Sequence, residues 1–215
     1  MRSFRIFALA VFCVSTAQAA DPIGASKVAV DFTRDRLAKL LQVNQAEILV
    51  SAQRPFTNAT VQLDFYHNGK KVHSEDSASA THLVAQDAVS ISVQAADLDV
   101  VTLGGGKPGS SRFLVELTTS GGGPPMYAGR THDVAKAVCS LGELNGASAF
   151  PTPMLHNGTI PLCWMLRDNA TGDTSVTAGS SPEDLVAKNP TADIVVINLK
   201  LADDSSQPNS STAAR

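Results

Sequence analysis

Hydrophobic and polar positions alternate with a period of two over much of the chain. Thr60 to Tyr66 (TVQLDFY) places Val61, Leu63 and Phe65 on one face and Gln62, Asp64 and Tyr66 on the other. That spacing predicts a half-buried strand. His67-Asn68-Gly69-Lys70 follows, and Asn-Gly is the strongest short hairpin signal, because both central residues of a type I′ turn need positive φ. Lys71 to Glu75 is then the return strand. Val89 to Gln94 and Phe113 to Thr118 alternate in the same way, and Glu47 to Ala52 reads as a further strand. Thr81 to Ala85 and Asp97 to Leu103 give weaker strand signals.

Other segments carry a helical period. Ser26 to Val43 has Val28, Phe32, Leu37, Leu40 and Leu41 on one stripe, opposite Arg34, Asp35, Arg36 and Lys39, with Asn44 as a stop. Asp133 to Leu141 has Val134, Ala137, Val138 and Leu141 on one face, with Thr131 or Asp133 as cap. Ser181-Pro182-Glu183-Asp184 combines a cap, a proline at the first position and acids in the first turn, so 182–188 reads as a short helix. Thr159 to Arg167 reads as a strand interrupted by Pro161, which implies an edge or a bulge. Ile194 to Leu201 (IVVINLKL) reads as a buried strand.

These elements predict an α+β protein. An N-terminal helix packs on a mostly antiparallel sheet over residues 20–120, and a smaller disulfide-linked α/β subdomain occupies 127–202. The stretch at 121–126, which holds Gly121 to Pro125, divides the two as a Gly/Pro linker. Residues 203–215 are polar and read as a disordered tail. No internal repeat is evident.

The first nineteen residues read as a signal peptide. Arg2 and Arg5 precede the apolar run Ile6 to Val14, and Ala17-Gln18-Ala19 matches a small-residue cleavage site. The apolar run is far short of the ~20 residues a membrane span needs. Cleavage there would remove two arginines and take the net charge from −3 to −5. The expected location is periplasmic or extracellular, and the mature chain has no stable membrane span. Its acidic balance argues against nucleic acid, because neutralising phosphates takes clustered Lys and Arg.

Export changes the reading of the cysteines. Cys13 leaves with the signal, and Cys139 and Cys163 are expected to pair in an oxidising compartment. The bridge would close a loop of about 25 residues, worth ~3 kcal/mol in the chain-entropy model. Trp164, the only tryptophan, is expected to pack on it.

No catalytic signature emerges. Residues 104–111 (GGGKPGSS) lack Walker-loop order, since Lys107 precedes Pro108 and a strand follows. His67, His73, His82, His132 and His156 show no zinc spacing, although His67 and His73 flank the Asn-Gly turn and could face one another. His132 beside Asp133 is a weak candidate base, because neighbours on a helix do not face each other. No serine sits in a G-x-S-x-G elbow. Asp64, Glu75, Asp76, Glu116 and Glu143 could supply a carboxylate pair, but aromatic content of 5% is low for a sugar cleft. The Asn-x-Ser/Thr sequons at Asn58, Asn157, Asn169 and Asn209 matter only in a glycosylating host. No cofactor or metal site is called for.

The segment Ala149 to Pro161 (AFPTPMLHNGTIP) places apolar residues between prolines. Proline pre-orders such a loop and lowers the entropy lost on docking. Phe150, Met154, Leu155 and His156 are therefore the expected partner-binding residues. The function expected is a protein-binding module, such as an inhibitor, an immunity factor or an accessory subunit of an envelope assembly. Its partner is expected to be another exported or envelope protein. A small hydrolase and a structural surface component are the alternatives.

Overall fold

A computed structural model of the chain describes residues 22–32, 43–97, 110–119, 127–135, 140–143, 155–167 and 177–203. The described residues form two five-stranded antiparallel sheets packed face to face. The strands are β1 (Ala25–Phe32), β2 (Val43–Phe56), β3 (Asn58–His67), β4 (Lys70–Ala80), β5 (Gln86–Asp97), β6 (Ser110–Thr119), β7 (Tyr127–Ala135), β8 (Ser140–Glu143), β9 (Ile160–Arg167) and β10 (Asp193–Ala202). One short helix, α1 (Pro182–Lys188), precedes β10. Sheet A has the order β1-β2-β5-β6-β7, and sheet B the order β4-β3-β10-β9-β8.

The alternating pattern explains the core. Ala46, Ile48 and Val50 of β2, Val89, Ile91 and Val93 of β5, and Val115 and Leu117 of β6 face inward from sheet A. Val61 and Leu63 of β3, Cys163 and Met165 of β9, and Val195, Ile197 and Leu199 of β10 meet them from sheet B. Period-two patterning of this kind is what a sandwich requires of each strand.

The β3–β4 hairpin forms as the sequence indicates. Asn68 and Gly69 have φ of 48° and 73°, the left-handed pair that a type I′ turn demands. α1 is capped as expected: the Ser181 hydroxyl accepts from the Asp184 backbone N–H, and Pro182 opens the helix. Pro161 marks a bulge, where Asn198 pairs with Pro161 immediately after Ile197 pairs with Cys163.

Other expectations are overturned. The described residues do not form an α+β fold, and among them no N-terminal helix packs on a sheet. Ala25–Phe32 is a strand, paired with β2 from Ala25↔Ala52 to Phe32↔Ala46. Val28 and Phe32 share a helical face, but Val28, Val30 and Phe32 also alternate, and a partner strand settles the ambiguity for strand. The remainder of that helix, 33–42, lies outside the described residues. The helix expected at 133–141 is likewise not formed by its described residues: Asp133 to Ala135 belong to β7, which pairs with β6, and Ser140 and Leu141 belong to β8, while 136–139 lie outside the described residues. Thr81 to Ala85 connects β4 to β5 and is not a strand.

The disulfide is corrected as well. Among the described residues no disulfide lies at bonding distance, and Cys163 is buried between the two sheets. Its side chain fills core volume beside Met165 and Ile197, as a small hydrophobe does. Cys139 lies outside the described residues. Trp164 therefore does not pack on a bridge. It belongs to a second apolar cluster with α1, apart from the inter-sheet core that holds Cys163. The smaller α/β segment is not a separate disulfide-linked layer: β7 pairs with β6 in sheet A, and β10 lies between β3 and β9 in sheet B. The signal reading of 1–19 and, beyond Asp203, the tail expected at 203–215 lie outside the described residues, and secretion has no support from the structure.

Candidate functional site

The tripeptide His-Asn-Gly occurs twice, at 67–69 and at 156–158. Both copies fold into the same turn. Asn157 and Gly158 have φ of 49° and 80°, matching Asn68 and Gly69. His156 and Thr159 exchange two backbone hydrogen bonds of 2.7 and 2.9 Å. In each turn the asparagine amide lies against the Nε2 atom of the preceding histidine, at 2.8 Å for His67 and 2.9 Å for His156.

Strand register places the two turns at opposite ends of sheet B. β3 runs into the first turn beside Ile194 at the start of β10, whereas Ile160, just after the second turn, pairs with Leu199. Five residues of β10 separate these points, about 17 Å of extended chain.

Each histidine then meets a carboxylate, one at the start of β10 and the other in α1. His67 Nδ1 lies 2.5 Å from Asp193 Oδ1. That contact assigns the ring proton to Nδ1, leaving Nε2 to accept from Asn68. His156 Nε2 lies 2.5 Å from Glu183 Oε1, so Nε2–H donates to that carboxylate and, unlike His67 Nε2, does not accept from the neighbouring asparagine. Residues 183–193 therefore run the length of the outer face of sheet B, fastened at each end to a rigid hairpin turn.

Beneath this segment lies the second apolar cluster. Pro182, Leu185 and Val186 of α1 are buried, and Leu185, Val186 and Ala192 pack with Trp164, Leu166, Ile194 and Val196, with Tyr66 beside them. The segment is also tied to itself. Asp184 Oδ2 accepts from the Ser180 backbone N–H at 2.8 Å, from Lys188 Nζ at 2.9 Å and from the Ser180 hydroxyl at 3.0 Å. These donors, the Ser180 backbone first, hold the Asp184 carboxyl down at about 2. Asn189 Nδ2 donates to the Thr177 and Leu185 carbonyls.

Next to the cluster sits a polar node. Asp64 accepts from the Ser74 hydroxyl at 2.7 Å, from Lys71 Nζ at 2.8 Å and from Asn198 Nδ2 at 3.1 Å. Asn198 is 1% exposed and Asp64 8%. A carboxylate so fully engaged is a structural centre rather than a reactive one.

Tyr66 responds to the same surroundings. Burial, with the charges of Asp64 and Glu183 second, pushes its phenol from 10.0 up to about 12. The neutral phenol is thus favoured in the folded chain. This contribution to stability is complete below pH 10 and is lost as the pH rises through 12. Ultraviolet titration of phenolate absorbance should show a late-ionising step, and Tyr66→Phe should remove it. A late step that survives in Tyr66→Phe would contradict the assignment.

Of the partner-binding residues expected from the sequence, His156 forms this brace and Leu155, 37% exposed, precedes it. Phe150 and Met154 lie outside the described residues. His67 and His73 do not face each other: His73 stacks on Phe65 with ring centroids 5.6 Å apart and lies 3.6 Å from Glu75. His132 lies in β7 opposite Phe113. Glu183, Asp193, Tyr66 and Trp164 were not assigned to this face from the sequence; the repeated His-Asn-Gly was the available signal. Among the described residues no group of three His, Cys, Asp or Glu side chains is placed to hold a metal ion. Among them, too, no helix is long and apolar enough to cross a membrane. No known protein family, curated protein or solved structure matches the chain.

Proposed function

We propose that this chain is a protein-binding module that presents Leu155 and His156 at one end of sheet B. The observation that carries this reading is an exposed leucine placed directly against a fixed turn. Leu155 is 37% exposed, while the next residue is held by two backbone hydrogen bonds and by Glu183. An apolar side chain on a pre-ordered base loses little entropy on docking. A compact two-sheet scaffold carrying its contact residues at a strand end is a common basis for recognition. Phe150 and Met154, just upstream in the sequence, are included in the proposed contact.

The test is capture of one saturable protein partner by the wild-type chain, compared with Leu155→Ser. Truncating an interface anchor commonly costs about 1–2 kcal/mol or more, so the affinity should fall roughly tenfold or further. Thermal stability should fall far less than capture, because the side chain is partly exposed and lies outside both apolar clusters. Equal capture by both chains would remove Leu155 from the interface.

A further inference from the structure

We propose that Asn157 is a self-modifying site. Its side chain closes onto the Gly158 backbone nitrogen as a cyclic imide, which opens to aspartate and isoaspartate and so undoes the turn that supports Leu155. The effect on docking rests on the protein-binding reading; the modification itself does not.

The chemistry needs only the turn and water. The Gly158 nitrogen attacks Asn157 Cγ as it loses its proton. The N–Cγ bond forms, the Cγ–Nδ2 bond breaks, and the side-chain nitrogen leaves as ammonia with that proton. Water then opens the ring. Opening at Cγ gives aspartate. Opening at the main-chain carbonyl gives isoaspartate, in which the chain runs through the side chain and is one carbon longer. Glycine at 158 leaves the attacking nitrogen unhindered, because it carries no Cβ. The backbone hydrogen bonds of the turn run between His156 and Thr159, so they do not engage the Gly158 N–H. Asn157 is exposed to the water that opens the ring.

Asn68-Gly69 offers an internal comparison, since it follows a histidine in a matching turn. Two observations single out Asn157. The first is the histidine. His67 Nδ1–H donates to Asp193, so its Nε2 accepts from Asn68 Nδ2 at 2.8 Å and holds that amide. His156 Nε2–H donates to Glu183, so the Asn157 amide finds no acceptor there. The second is the backing of the turn. Asn68-Gly69 closes a hairpin whose strands pair from His67↔Lys70 through to Ala59↔Ala80. Asn157-Gly158 is closed by an isolated bridge, His156↔Thr159. Ring closure requires the turn to open, and local opening costs less where fewer backbone bonds break. The second turn is ordered, yet it opens more often than the first.

Isoaspartate at 157 lengthens the main chain between His156 and Thr159. The two backbone hydrogen bonds of the turn, and the 2.9 Å bond from the Thr159 hydroxyl to the His156 carbonyl, are then no longer all kept. Leu155 loses its ordered base. The aspartate product keeps the chain length and puts a carboxylate beside the imidazole that Glu183 already engages.

Ageing of the full chain at mildly alkaline pH, followed by peptide mapping with mass spectrometry, tests the proposal. Asn157 should convert at least about fivefold faster than Asn68, the factor that one net hydrogen bond represents. In denaturant the two rates should converge, because both sites read His-Asn-Gly. Equal rates in the folded chain, faster conversion at Asn68, or a gap that persists in denaturant would overturn the site. That comparison decides the modification whether or not a partner is captured. Capture by the aged chain should fall in proportion to its isoaspartate content. An aged Asn157→Gly chain, whose glycine accepts positive φ, should bind as it did before ageing. Undiminished capture by a fully converted chain would overturn the link to Leu155, and so would loss of capture on ageing of Asn157→Gly. Failure of the protein-binding reading shows itself separately, as equal capture by Leu155→Ser.

Discussion

Gly179→Ala is expected to release α1 from sheet B while leaving the two-sheet core folded. A Cβ at Gly179 would lie 2.3 Å from the backbone nitrogen of Leu185, 2.5 Å from its Cα and 2.6 Å from its Cβ. Two of these atoms are main chain of α1, so no rotamer change relieves the clash. Overpacking in a buried site costs about 1–3 kcal/mol and occasionally more, and contact with backbone places this case at the upper end. The strain falls on α1 rather than on the inter-sheet core. Trp164 emission should shift to the red and α1 amides should exchange faster, with β5 and β6 amides unchanged. Gly24→Ala is the control. There the nearest atoms belong to the terminal amide of Gln53, at 2.8 Å, which can swing aside. Equal stability losses in the two variants would contradict the steric argument.

Asp64→Ala is expected to destabilise the whole sandwich by about 3 kcal/mol. Hydrogen bonds to a charged group are worth roughly 1.5–3 kcal/mol each when a buried partner is left unmade. Asn198 is that partner: it is 1% exposed, and its Oδ1 already has no partner among the described residues. Without Asp64, its Nδ2 keeps only a marginal 3.5 Å contact with the Val196 carbonyl. Lys71 adds less, because its side chain is 46% exposed and exposed pairs contribute at most about 1 kcal/mol. The loss should appear in equilibrium denaturation as a lower midpoint with an unchanged slope. Asp64→Leu combined with Asn198→Leu should recover much of the stability, since it removes donor and acceptor together. A double variant no more stable than Asp64→Ala would show that the polar node is not the origin of the loss.

Both effects depend on contacts between residues distant in the chain, which marks the limit of what the pattern conveys. The Asn-Gly hairpin and the Ser181-Pro182 helix start were legible because their determinants are local: positive φ at adjacent positions, and a hydroxyl beside free N–H groups. β1 and β7 were not legible. Val28 and Phe32 fit a helical stripe as well as a strand face, and Val134 offers the same ambiguity in β7. The decision comes from pairing with β2 and β6, which periodicity within one segment does not report. The disulfide expectation failed for a related reason. Two cysteines in one chain suggest a pair, but the alternation of β9 places Cys163 in the inter-sheet core and Trp164 in the cluster under α1. At the candidate site, His156 stood out through its proline-rich loop, whereas the acids that hold the two turns did not. His67 and Asp193 are 126 residues apart and meet only because β10 inserts beside β3.

The most direct test of the central claim is hydrogen-exchange footprinting of the chain in complex with its captured partner. The account predicts new protection at residues 155–159, where Leu155 adjoins the braced turn. Protection confined to another surface, such as the β4 edge, with 155–159 exchanging as in the unbound chain, would contradict it.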